Sequence, residues 1–172
     1  MGTEYFDVVN YRDDVVGQES RSKVHQCGLL HRAVHVFARS EKQDWVLQKR
    51  SASKDLDPLL WTSSCSGHLD AGEGYIPAAI REAQEELGVT VMKEKLVELL
   101  RVSPCLETGN EFVRVYAAEG FYTPLCSTGE VAQFASYSLD EIALKIQEET
   151  EQFSGSFLHI FNLIKGKLYK FT

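Results

Sequence analysis

Long apolar runs are missing from this chain of 172 residues. No stretch approaches the roughly 20 apolar residues that a helix needs to cross a bilayer, so no spanning helix is expected. The opening MGTEYFDVVNYRDD has no basic flank ahead of an apolar core, which argues against an export signal. Gly2 followed by Phe6, rather than by Ser or Thr, does not fit a myristoylation signal. Basic residues are in deficit: 18 Lys and Arg against 25 Asp and Glu leave a formal net charge of −7. That balance argues against broad binding to a nucleic-acid polymer or to an anionic membrane. Cysteine is sparse too, and Cys27, Cys65, Cys105 and Cys126 form no CxxC pair. Reduced thiols in a cytoplasmic protein are the simplest account. Internal repeats and low-complexity segments are also lacking.

What is present is an ordinary globular composition, 44% hydrophobic and 25% charged. Residues 1–172 read as one domain, with about residues 1–25 as an N-terminal hairpin extension. Phe6–Val9 and Val15–Val16 flank a polar turn, and a polar stretch follows from Gly17 to Lys23. Gly28–Arg39 is β-branched at its centre and reads as a buried strand, with Trp45–Arg50 returning from it. Ser51–Pro58 reads as a loop centred on Lys54, and strands are expected over Leu96–Val102 and Glu111–Tyr122. Ser138-Leu139-Asp140-Glu141 fits a capping box that opens a helix toward Gln147. Phe157, Ile160, Phe161 and Ile164 are spaced for one face of a last helix over Phe153–Lys165. Strands first, with one central helix and terminal helices, predict an α+β fold.

The rest of the chain is organised around GHLDAGEGYIPAAIREAQEELGV, Gly67 to Val89. A helix from about Ile76 to Leu87 puts Ile76, Ala79, Ile80, Ala83 and Leu87 on one face. Glu82, Glu85 and Glu86 then project from an opposite, exposed face, and Gly88 falls where a helix ends. Carboxylates at such spacing are close neighbours. They repel one another unless a cation sits among them, and hard oxygen donors suit Mg²⁺ or Mn²⁺.

Gly67, five residues, Glu73, seven residues, then Arg81-Glu82-Ala83-x-Glu85-Glu86-x-Gly88-Val89 resembles a complete Nudix box. The resemblance implies the Nudix fold, a mixed β-sheet in an α/β/α sandwich, and hydrolysis of a nucleoside diphosphate linked to another group. It implies Glu82, Glu85 and Glu86 as metal ligands, with the Gly67 carbonyl as a further ligand and one carboxylate as general base. Glu73 and Arg81 are implied as a pair bracing the loop against the helix. Glu111 is a candidate further ligand or base. Arg50 and Lys54 are candidates for holding terminal phosphates, and His68 for touching phosphate or metal.

A second resemblance covers about residues 7–118. Leu30-His31, Arg50-Ser51-Ala52-Ser53-Lys54, Pro58, Trp61-Thr62-Ser63-Ser64 and Gly67-His68 resemble type 1 isopentenyl-diphosphate isomerases. That family binds a divalent metal through histidines and glutamates and protonates a substrate double bond. His31 and His68 fall on its histidine positions, His25 lies near a third at a shifted spacing, and Glu111 falls on a glutamate. Ser66 stands where the isomerase has its cysteine, Cys65 sits one residue earlier, and Gly109 replaces its second glutamate. A one-residue shift on a strand reverses the side chain, so Cys65 reads as a small buried residue; His25, His35 and His159 receive no role. The expectation is therefore a Mg²⁺- or Mn²⁺-dependent hydrolase of a small diphosphate compound, with a homodimer as the commonest assembly. An isomerase and a non-catalytic Nudix-fold binding module are the alternatives.

Overall fold

The computed structural model describes residues 4–125 and 129–171, which leaves Cys126 outside the described residues. β1 (Tyr5–Val9) and β2 (Val15–Ser20) form a separate antiparallel hairpin, followed by the short helix α1 (Arg21–Cys27). β3 (His31–Arg39), β4 (Trp45–Arg50), β5 (Trp61–Thr62) and β6 (Cys65–His68) lead to helix α2 (Tyr75–Glu86). β7 (Leu96–Val102), β8 (Glu111–Phe121) and β9 (Val131–Tyr137) follow, then α3 (Leu139–Glu148) and α4 (Gly155–Leu168). The seven-stranded main sheet is mixed: β3 and β8 are parallel, and every other pairing in it is antiparallel. Among the described residues, no helix is long and apolar enough to cross a membrane.

Strand alternation sorts the sheet into two apolar layers. Val34, Val36 and Ala38 of β3 join Val46, Tyr116 and Ala118 beneath Ala79, Ala83 and Leu87 of α2. Ala33 and Phe37 of the same strand face the other way, onto Phe157, Ile160, Phe161 and Ile164 of α4. The result is the α/β/α sandwich. The capping box is complete: Glu141 N–H donates to Ser138 Oγ at 3.2 Å, and Ser138 N–H donates to Glu141 Oε2 at 2.8 Å. α2 stops at Gly88, whose φ of +69° is a left-handed conformation that glycine adopts without strain.

β3 and β4 are not the simple hairpin that their spacing predicts. They pair only at Arg39 and Trp45 and then splay apart. β6 and β8 flank β3 beyond that point, and β5 and β9 flank β4. Ser64, fully buried, bridges the fork: its Oγ donates to the Val46 carbonyl at 2.6 Å and accepts from Ala38 N–H at 2.8 Å. The fork opens the cleft in which the candidate functional residues meet.

Candidate active site

Arg50, Lys54, Gly67, His68, Arg81, Glu82, Glu85 and Glu111 line one cleft of about 900 Å³. The exposed glutamate face predicted for α2 is corrected by the structure. Glu82 is 7% and Glu86 1% exposed, while Ile76 and Ile80 are only partly buried. The helix is rolled so that its buried arc reaches past Ala79 and Ala83 to both carboxylates. Gly67 makes this roll possible, because a Cβ there would run into the Glu82 carboxylate. Only Glu85 keeps an exposed side chain, at 54%.

Each buried carboxylate has donors. Glu86 Oε2 accepts from Gln48 Nε2 at 2.5 Å and from Ser66 N–H at 2.9 Å, while Lys54 Nζ lies 3.4 Å from its Oε1. Arg81 grips Glu73 with two hydrogen bonds, at 3.1 and 2.8 Å, and donates to the His68 carbonyl at 2.9 Å. Its remaining terminal nitrogen reaches Glu82 at 2.6 Å and Glu85 at 3.0 Å. Burial, reinforced by the neighbouring Glu86 charge, pushes the Glu82 carboxyl up to about 8, despite Arg81. Two buried carboxylates on successive turns make a hard oxygen donor set that fits a divalent cation.

The histidines form a second group, on the sheet face opposite α2. Ligand nitrogens of His25, His31 and His68 all lie within 4.8 Å of one another. Glu111 Oε1 is 2.9 Å from His68 Nε2 and 3.4 Å from His31 Nε2. His31 Nδ1–H donates to the Leu29 carbonyl at 2.8 Å, so in the neutral ring Nε2 carries a lone pair facing Glu111. Among the described residues, neither His31 Nε2 nor His25 Nε2 has a hydrogen-bond partner, although both are buried. Burial first, then His68 and His31, hold His25 down to about 4. Burial opposes ionisation of Glu111, yet the adjacent His31 and His68 rings, the latter hydrogen-bonded to it, keep it well below the usual carboxylate range. Lone pairs and a carboxylate converging in this way suit a cation bound through nitrogen and oxygen. Phe6 covers the group, its ring centroid 4.7 Å from that of His68 and 5.9 Å from that of His31.

Three participants escape the sequence reading. His25 is carried by a seven-residue helix with one buried residue, Val24, so its only sequence signal is the shifted isomerase spacing. Gln48 resembles any polar residue near a strand end. Glu130, just before β9, accepts from Lys54 Nζ at 2.6 Å and gave no signal. Arg50 lines the cleft but also donates through Nε to the Leu56 carbonyl at 3.0 Å, stiffening its own loop. Cys65 is fully buried, and burial pushes its thiol well up; Ser66, pointing the other way, lines the cleft.

The family model described as the NUDIX domain matches residues 29–158. A Nudix hydrolase of Deinococcus radiodurans is 33% identical over 132 residues, 77% of each chain. Isopentenyl-diphosphate Delta-isomerase 2 of Photorhabdus laumondii is 29% identical over 161 residues, covering 92% of this chain and 91% of that one. A crystal structure from Deinococcus radiodurans superposes with a TM-score of 0.73 at 30% identity, over 85% of this chain and 90% of the other. The chain belongs to the Nudix family, in its isopentenyl-diphosphate isomerase-like branch. It is an enzyme of the pyrophosphohydrolase class, a class that uses divalent cations and acts on small diphosphate compounds.

Proposed function

We propose that this chain is a Mg²⁺- or Mn²⁺-dependent hydrolase that cleaves the diphosphate linkage of a nucleoside diphosphate or a related small compound. The observation that carries this reading is the burial of Glu82 and Glu86 beside Gly67, in a cleft that also holds Arg50 and Lys54. Glu82, Glu85, Glu86 and the Gly67 carbonyl would hold the cation, which when bound neutralises phosphate charge and acidifies water. Arg50 and Lys54 bind the terminal phosphate oxygens. Glu73 and Arg81 fix the box loop against α2. One carboxylate of the cleft takes the proton of the attacking water. The water oxygen bonds to phosphorus, and the bridging P–O bond breaks with its electron pair leaving on the second phosphate. The test is a panel of diphosphates incubated with Mg²⁺ and read by mass spectrometry. Turnover lost in Glu85→Gln with folding intact supports the reading; no cleavage of any diphosphate, with Glu85→Gln without effect, rejects it.

The His25, His31, His68 and Glu111 group favours a second reading, isopentenyl-diphosphate isomerase. Against it stand the intact glutamate box, a buried Cys65 and Ser66 in the cysteine position. Conversion of isopentenyl to dimethylallyl diphosphate, abolished in Ser66→Ala, would establish the isomerase instead. Tight binding with no turnover would make the chain a binding module. We further propose that residues 4–27 belong to the same domain as the cleft. Tyr5 accepts a backbone hydrogen bond from Ala71 at 2.9 Å, and Asp7 accepts one from Gly72 at 2.9 Å.

A further inference from the structure

The hydrolase reading leaves His35, a buried polar side chain of the cleft, without a task. His35 stands opposite Ser66 across the β3–β6 ladder, and both line the cleft together with Ser156 at the start of α4. The ring is 4% exposed. Its Nδ1 lies 2.8 Å from Ser63 Oγ, and that hydroxyl gives its own proton to the Cys65 carbonyl at 3.1 Å. Ser63 can therefore only accept from the ring, which places the hydrogen on Nδ1. Burial keeps the imidazole neutral at physiological pH, so Nε2 is an acceptor, and among the described residues no hydrogen bond reaches it.

An acceptor fixed from behind in a nearly dry wall discriminates between ligands. A substrate group carrying O–H or N–H satisfies it, whereas a hydrocarbon chain displaces its water and leaves it unpaired, an expensive outcome for a buried polar group. We propose that His35 is a specificity-determining residue. It accepts a hydrogen bond through Nε2 from a hydroxyl or amino group on the non-phosphate part of the substrate, and so selects diphosphates of polar alcohols over those of hydrocarbon alcohols. This rests on the hydrolase reading and narrows it. The fork between β3 and β4 places this acceptor in the same cleft as Arg50 and Lys54, which take the phosphates.

The experiment compares kcat/KM for uridine diphosphate glucose, adenosine diphosphate and isopentenyl diphosphate with Mg²⁺, in wild type, His35→Leu and His35→Gln. Wild type is expected to prefer at least one hydroxyl-bearing substrate. His35→Leu should cut that preference about 10- to 100-fold by slowing the polar substrate while leaving isopentenyl diphosphate unchanged or faster. His35→Gln, which retains an acceptor, should restore part of it. An equal loss on all substrates in His35→Leu, or wild-type preference for isopentenyl diphosphate, overturns the proposal. If no diphosphate is cleaved, the hydrolase reading falls on its own. The same three compounds compared by calorimetric binding then decide the role of His35.

Discussion

Glu86 is held by donors from separate parts of the chain: the Gln48 amide of β4, the Ser66 N–H of β6 and the Lys54 ammonium of the intervening loop. Two of them occupy Oε2, and Oε1 faces the Lys54 ammonium at 3.4 Å. Removing the amide should loosen that carboxylate without touching the core. Gln48→Leu is expected to weaken Mn²⁺ binding by about 10-fold or more, measured by calorimetry or by electron paramagnetic resonance, with the far-UV circular dichroism unchanged. An unaltered Mn²⁺ affinity would reduce Gln48 to packing. Gly67→Ala should act from the opposite side, driving Glu82 off its place and abolishing tight Mn²⁺ binding in the same measurement. The box residues are legible in sequence because their spacing is fixed along a single loop and helix. Gln48 and Glu130 are not, since one lies on β4 and the other at the foot of β9, and no local pattern records the pairing of those two strands.

At the scale of elements, legibility follows the strength of the hydrophobic period. β4 and β7 have the boundaries that their apolar runs predict, and α3 begins at its predicted cap. α2 is placed within a residue, but its rotation is not predicted, because hydrophobicity alone cannot anticipate buried carboxylates. β5 has two residues, and β9 buries only one of its seven, so neither carries a period. Two measurements test the elements that support the cleft from below. Phe157→Ala removes a fully buried ring stacked on Phe153 and Phe161, and should cost about 3–5 kcal/mol in chemical denaturation. Ser138→Ala deletes the N-cap acceptor of α3 and should cost about 1 kcal/mol.

For the molecule as a whole, the buried imidazoles set an acid limit. His35 is held near 4 when folded, by burial, and returns to about 6.5 when the chain unfolds. Its contribution to stability is complete above pH 6.5. It declines as pH falls toward 4, because the unfolded chain takes up a proton that the folded chain refuses, and it levels off below that. The total is of order 3 kcal/mol. Denaturation of wild type and His35→Gln between pH 7 and pH 4 should show a shallower decline in the variant; parallel curves would assign the acid sensitivity to other groups.

Phe6 lies over His68 and His31, and His25 arrives from the helix behind it. Phe6 and His25 precede residue 29, where the family match begins, and Ile160 to Leu168 of the core follow residue 158, where it ends. The stretch that carries the family signature is therefore shorter than the set of residues packed around the cleft and the sheet. A fragment trimmed to 29–158 should lose helix packing on one side of the sheet and leave His31, His68 and Glu111 open to water. Homology marks out the catalytic signature here, while an aromatic ring ahead of the matched stretch and a helix running past its end complete the packing around the sheet.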